Sequence, residues 1–158
     1  MFKKSTYNKS AKSGGFTLIE LLIVIAIIAI LSGIVIVAIN PARQFAQARN
    51  TQRWSNINAI LNAVHQNVAD NQGSWTCANG DIPTTTATTM GSGAGNFNIL
   101  ACVAPTYISS IVYDPTDGSY ANDSTYNTGY TILQASSTGR ITIAAPFAEL
   151  SEIIAVTR

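Results

Sequence analysis

Gly14-Gly15-Phe16-Thr17-Leu18-Ile19-Glu20, followed without a break by the apolar stretch Leu21–Ile39, decides how this chain is built. Upstream stand Lys3, Lys4, Lys9 and Lys12, a short basic leader that stops at the glycine pair. From Leu21 to Ile39 there are 19 consecutive uncharged residues. As a helix rising 1.5 Å per residue, that run is long enough to cross about 30 Å of hydrocarbon. The only charge in the segment opened by Phe16 is Glu20. A carboxylate at that depth is costly unless it is neutralised or paired, so Glu20 is a functional residue by default and needs a named partner.

Two plainer readings compete. A secretory signal peptide has a shorter apolar run, of about 7–15 residues, and then a small-residue cleavage site. Here the run is longer, and Ala29, Ser32 and Gly33 have more Ile and Val behind them. A plain membrane anchor explains the hydrophobicity but not the Gly-Gly-Phe-Thr-Leu-Ile-Glu string. That string, with the apolar segment after it, resembles the N-terminus of type IV prepilins and of the related pseudopilins of type II secretion. The resemblance implies that a prepilin peptidase cuts after Gly15 and N-methylates the new terminus, Phe16. It implies that Glu20 pairs with a neighbouring subunit's N-terminal amine during filament assembly. The partners it implies are that peptidase, further copies of the chain in a homopolymeric filament, a pilus assembly platform with its ATPase machinery, and the membrane. The physical logic also stands alone, because a free α-amine exists at that depth only if cleavage occurs before the apolar segment.

The chain then divides into a leader at 1–15, a transmembrane and assembly helix at 16–40, an amphipathic helix half at 41–72 and a head at 73–158. At 158 residues the length allows one domain. The head is too short for a generous core of its own, so packing against the helix must complete it. Beyond the leader, five arginines face eight acids, a side-chain balance of −3. That balance carries no nucleic-acid footprint, and no specific nucleic-acid partner is expected. Four Lys precede the apolar segment, while Arg43, Arg49 and Arg53 follow it, so charge leans only slightly towards a cytoplasmic N-terminus. Cys77 and Cys102 fit an oxidising exterior. The resemblance implies a single-pass precursor in the cytoplasmic membrane with the leader inside and the head outside.

Asn40-Pro41 removes a backbone donor and disfavours α geometry at Asn40, predicting a kink or a loosened turn. Beyond it Ile57, Ile60, Leu61, Val64 and Val68 recur at helical spacing, with Trp54 extending the stripe backwards. Asp70-Asn71-Gln72-Gly73 ends the helix, with Gly73 suited to a left-handed cap. His65, beside this stripe, reads as a partly buried packing residue rather than a ligand or base. Arg49 and Arg53, one turn apart, read as a solvated face, with a subunit interface as the alternative.

From Gly73 to Asn98 the composition turns to Ser, Thr, Gly, Ala and Asn, predicting an exposed loop over 78–96. Asn96–Val103 reads as a first strand, Tyr107–Tyr113 as a second, and Gly129–Leu133 and Arg140–Ala144 as two more. Phe147–Val156 reads as a short helix or a final strand. A long helix followed by a small antiparallel sheet is an α+β arrangement, which matches the pilin fold.

A Cys77–Cys102 bridge would close the loop at both ends and pin the end of the long helix to the sheet, at about 3–4 kcal/mol in the loop-entropy view. Two free or metal-binding thiols are the alternative, without any Cys-x-x-Cys or His-Cys spacing to support them. Asp114, Asp117 and Asp123, with Asn122 and Ser124, supply oxygens as a loose calcium loop would, and some major pseudopilins hold calcium in the head. Asp-Pro-x-Asp-Gly is first of all turn chemistry, however, so no cofactor is expected. The tyrosines, Tyr107, Tyr113, Tyr120, Tyr126 and Tyr130 among them, read as a cover for the sheet. No nucleophile elbow, phosphate-binding loop, dinucleotide fingerprint or paired-histidine zinc motif appears, and nothing brings Asp114 to Glu149 or Glu152. The expectation is a structural subunit of an extracellular pilus-like filament, not an enzyme. The alternatives are a pseudopilin of a type II secretion system and a tethered binding domain that never polymerises.

Overall fold

The computed structural model describes residues 14–158; the leader lysines Lys3, Lys4, Lys9 and Lys12 lie outside the described residues. Helix α1 spans Leu18–Ile39, and none of its residues is buried. It is apolar on every side, the pattern of a helix solvated by hydrocarbon or by other helices rather than by one core. In lipid each backbone group must be satisfied within the segment, which a run this rich in β-branched Ile and Val achieves only as a helix. By length and composition α1 is able to cross a membrane. It stops at Asn40, whose φ of 47° is left-handed, and Pro41 opens helix α2 (Pro41–Asp70). Proline suits that first position because its missing N–H would have no intrahelical partner there. The predicted disturbance at Asn40-Pro41 is thus a full break. The chain divides at Pro41 into two compact units.

In the second unit, α2 buries Ile57, Ile60, Leu61, Ala63 and Val64 against a five-stranded antiparallel sheet. The strands are β1 (Thr88–Gly91), β2 (Ser119–Asn122), β3 (Thr125–Gln134), β4 (Ile141–Ala145) and β5 (Ile154–Thr157), and a one-turn helix α3 spans Leu100–Val103. The order across the sheet is β1-β3-β4-β5, and β2 pairs with the first residues of β3. Ile132 lies opposite Ile143, and Ala145 opposite Ile154. The alternation of β4 puts Ile141, Ile143 and Ala145 inward, as its sequence pattern requires. This is the α+β, pilin-like architecture expected.

Several local readings need correction. The segment 78–96 is not all exposed loop: Ile82 and Met90 are buried, and β1 pairs with β3. They are the two aliphatic anchors in a polar stretch, and an average over composition hides them. Asn96–Val103 is not a strand. Phe97 makes a single parallel bridge to Met90, after which Leu100–Val103 turns into α3. The Cys102 carbonyl is held there by Asn67 of α2, tying the segment to the helix instead of the sheet. Tyr107–Tyr113 forms turns in which only Ile111 is buried, since Ser109 and Ser110 offer nothing to an inward face. Phe147–Val156 resolves into a turn-rich loop followed by β5. Tyr126 and Tyr130 are core residues, not a cover, whereas Tyr113 and Tyr120 are exposed.

The long helix of this unit is fastened where it ends. At the C-terminal end, the Asn67 amide donates to the carbonyls of Thr76 (3.0 Å) and Cys102 (3.1 Å) and accepts from the Thr76 N–H (3.1 Å). The Cys77–Cys102 disulfide lies beside it, with Cα atoms 5.2 Å apart. The backbone bond from Gly73 N–H to the Val68 carbonyl (2.8 Å) closes the helix. Gly73 is left-handed, at φ 90°, as expected, and Gln72 before it shares that conformation, at φ 59°.

Candidate functional site

The N-terminal site is built by the first turn of α1. Thr17 is the N-cap, in extended conformation, and its hydroxyl oxygen accepts from the Glu20 N–H at 3.2 Å. In return the Glu20 carboxylate accepts from the Thr17 N–H at 2.9 Å and from the Thr17 hydroxyl at 2.7 Å. This reciprocal capping box satisfies backbone donors that a helix start otherwise leaves open. It also places a negative charge at the positive end of the helix dipole. Glu20 therefore has a partner within its own chain, which Thr17-Leu18-Ile19-Glu20 announces as a Thr-x-x-Glu start before an apolar run. The reading of Glu20 as a charge awaiting a neighbour overlooked that signal. Gly15 and Phe16 precede the helix in non-helical, exposed backbone, with Phe16 88% exposed.

A second polar centre lies inside the head, where the sequence placed a solvated face. Buried positions on α2 follow Ala46, Asn50, Arg53, Ile57, Ile60, Val64 and Asn67, alternating steps of four and three. Arg53 falls on this inward seam and is fully buried. All five of its N–H groups are used. Nε and Nη2 grip the Asp114 carboxylate at 2.7 and 3.1 Å, and Nη2 also donates to the Thr116 hydroxyl at 2.8 Å. Nη1 donates to the Asn50 side-chain Oδ1 and to Glu149 Oε2, both at 2.9 Å. Arg49 takes the same Glu149 carboxylate in a fork, at 2.6 Å from each nitrogen. The solvated-face reading of Arg49 and Arg53 is thus wrong: Arg53 fills a buried position on the stripe, and Arg49, at its edge, is part-buried and paired.

The Asp114 turn is shaped to meet this guanidinium. Its carboxylate also accepts from the backbone N–H groups of Thr116 (2.9 Å) and Asp117 (3.1 Å), the turn chemistry of Asp-Pro-Thr-Asp-Gly. A Cβ on Gly118 would stand 2.5 Å from the Asp114 nitrogen, so only glycine lets the turn close so tightly. Burial alone would push the Asp114 carboxyl up, but the bond from Arg53 and the turn's N–H donors hold it below the usual range. Glu149 is lowered to about 2, first by Arg49 and then by Arg53.

These contacts redistribute the candidate residues. Asp114 and Glu149, which nothing in the sequence joins, share one guanidinium; Glu152 is drawn in by the Asn50 amide (2.7 Å) and the Trp54 indole N–H (2.9 Å). Asp117 accepts from the Thr116 hydroxyl, and Asp123 from the Tyr120 hydroxyl. Asp114, Asp117 and Asp123 are accordingly not gathered, and among the described residues no three His, Cys, Asp or Glu side chains cluster as metal ligands do. His65 is half-buried on α2 and its Nε2 finds no hydrogen-bond partner. The centre joins α2 to the Asp114 turn and to the loop before β5 through fixed, ionised charges, as a structural clamp does.

A family model described as the prokaryotic N-terminal methylation motif matches residues 10–36. No curated protein and no solved structure matches the chain. The matched region runs from the end of the leader through most of α1 and supports kinship with the type IV pilins and pseudopilins. The apolar helix fits a membrane-anchored precursor.

Proposed function

We propose that this chain is the structural subunit of an extracellular type IV pilus-like filament. It is made as a prepilin in the cytoplasmic membrane with its leader inside. Prepilin peptidase cleaves it after Gly15 and N-methylates Phe16, and an assembly platform with its ATPase then polymerises it through α1. The observation that carries this reading is a wholly unburied apolar helix with its one carboxylate, Glu20, at the very start, inside the methylation motif.

In the membrane the capping box keeps Glu20 satisfied by its own Thr17. Lipid is as apolar as leucine, so helix surface alone hardly favours leaving it for a filament. The α-amine freed at Phe16 supplies the missing term. Pairing with a neighbour's Glu20, hydrogen-bonded in its own cap but without a counter-charge, gives both groups an opposite charge in low dielectric and sets the register between copies. The head contributes a rigid, non-enzymatic body fastened by the Arg53 clamp and the disulfide.

Intact-mass and N-terminal analysis of sheared surface filaments tests this. A chain starting at methylated Phe16 and abundant in that fraction is the expected result. A processed chain confined to the membrane fraction would favour the pseudopilin reading instead, and an unprocessed chain would overturn both.

A further inference from the structure

We propose that the cleft between the α3 segment and the β2–β3 turn is a binding site for one neutral pyranose ring. The site belongs to the head and does not require the chain to polymerise. The cleft encloses about 270 Å³. That is just under the range of about 300–1,000 Å³ typical of sites for drug-sized ligands, and it suits a single small ring. Its buried lining is apolar, Leu100 and Ile111, with Pro105 beside them. Its rim is polar on both sides: Asn98, Ser109 and Ser110 on one wall, Tyr120 and Asp123 on the other.

The fold holds two of these groups by one atom each and leaves the other atom open. Tyr126, buried in the core, takes the Leu100 N–H on its hydroxyl oxygen (3.1 Å) and donates to Asn98 Oδ1 (2.9 Å). The Asn98 amide is thereby oriented, and its Nδ2 is a donor without an acceptor among the described residues. The Tyr120 hydroxyl donates to Asp123 Oδ1, which leaves Oδ2 as an open acceptor. Ser109 and Ser110 are exposed, and their hydroxyls make no hydrogen bond among the described residues. Tyr120 lies on β2, a strand that buries none of its residues, so its ring takes no part in the core.

The chemistry of this lining narrows the ligand. No Lys, Arg or His lines the cleft and one carboxylate does, which disfavours an anion. The open groups are donors and acceptors together: the Asn98 amide donates, Asp123 accepts, and the two serine hydroxyls do both. An amine leaves the donors unanswered, and an aliphatic ligand leaves every polar group so. A pyranose answers all of them, because each of its hydroxyls both donates and accepts. Its C–H face suits the electron-rich face of the Tyr120 ring. The bond from a ring hydroxyl to the Asp123 carboxylate is charge-assisted and the strongest of the set. One ring that stays partly in water binds weakly, in the millimolar range.

The test follows the detergent-solubilised full-length chain by NMR during titration with the methyl glycosides of glucose, galactose, mannose, rhamnose and N-acetylglucosamine. At least one glycoside is expected to saturate the site in the millimolar range. Asp123→Asn should weaken that binding by about tenfold or more, the loss of a charge-assisted bond. Ala101→Trp, which sets an indole on the cleft wall, should abolish it. Both positions are exposed, so the melting temperature should stay unchanged in each variant. Cyclohexylmethanol, a ring without the hydroxyl pattern, and butylamine serve as controls. Three results would each overturn the proposal: no saturation by any glycoside, glycoside binding indifferent to Ala101→Trp, or equal binding of either control. None of them bears on whether the chain forms filaments, so the filament reading stands or falls separately.

Discussion

Arg53 and Asp114, 61 positions apart in sequence, meet as a forked ion pair with both side chains wholly excluded from solvent. The pair joins the long helix to the turn that leads into the sheet, and through Glu149 it reaches the loop before β5. Taking two charges out of water is expensive, and it is tolerated here because every N–H of Arg53 finds an acceptor. The arrangement fixes where the sheet sits on the helix more than it adds to stability.

Removing one partner should therefore be severe. In Asp114→Asn the guanidinium stays buried and loses its principal counter-charge, and the side-chain oxygen that accepts from Arg53 Nε gives way to an amide donor, while the other oxygen still serves the N–H groups of Thr116 and Asp117. Because Glu149 still contacts Arg53, we expect about 3 kcal/mol of destabilisation, the low end for a broken buried pair. Urea unfolding of the detergent-solubilised chain reads this directly, and a loss below about 0.5 kcal/mol, the range of an ordinary surface substitution, would refute the clamp.

The same charges set an acid limit. Glu149 sits at about 2 in the folded chain, and Asp114 is also lowered. Groups depressed on folding contribute stability that is fully present above their unfolded values, about 3.9–4.3 for these carboxylates, and that is lost as pH falls through the folded values. The melting temperature should be level from neutrality to about pH 5 and fall between about pH 4.5 and 2. Glu149→Gln should flatten part of that fall, and an unchanged profile in this variant would remove Glu149 from the account.

A gain is expected at the end of α2. Gln72 holds a left-handed φ of 59° and is followed by Gly73 at 90°. A side chain in that region costs about 1 kcal/mol relative to glycine, partly offset by glycine's greater freedom in the unfolded chain. Gln72→Gly should stabilise the chain by about 0.5 kcal/mol, seen as a small rise in the urea midpoint without a change in slope. A decrease would mean that Gln72 makes a contact worth more than its strain.

What could be read in advance was whatever repeats along one dimension. The apolar run of α1, the stripe Ile57, Ile60, Leu61 and Val64, and the alternation of Ile141 and Ile143 each express a period, and each lies where that period puts it. Arg53 was misread because a charge is solvated by default, although Ala46, Asn50, Arg53 and Ile57 already step by four, three and four. Its acceptors Asp114 and Glu149 come from distant loops, and no local pattern links them. Met90 and Ile82 were lost in a polar average. The linear Gly15-Phe16…Glu20 string was legible as a whole, while the capping role of Thr17 was legible and went unread.

That capping role allows the two duties of Glu20 to be separated. Glutamine at the third helical position also closes a capping box, since its side-chain carbonyl accepts from the N-cap N–H. Glu20→Gln should therefore preserve the first turn of α1 and normal removal of residues 1–15, while abolishing the charge available to a neighbour's Phe16 amine. Filament yield should drop by about tenfold or more, the effect of some 1.4 kcal/mol per added subunit. Thr17→Ala is the complement. It removes the hydroxyl that bonds Glu20 at 2.7 Å but leaves the carboxylate charged, so it should weaken the helix start by about 1 kcal/mol and assembly far less. Quantifying sheared filaments against processed protein in the membrane decides between the roles. If Glu20→Gln assembles like the unsubstituted chain and Thr17→Ala does not, Glu20 serves its own helix and the register between copies comes from elsewhere.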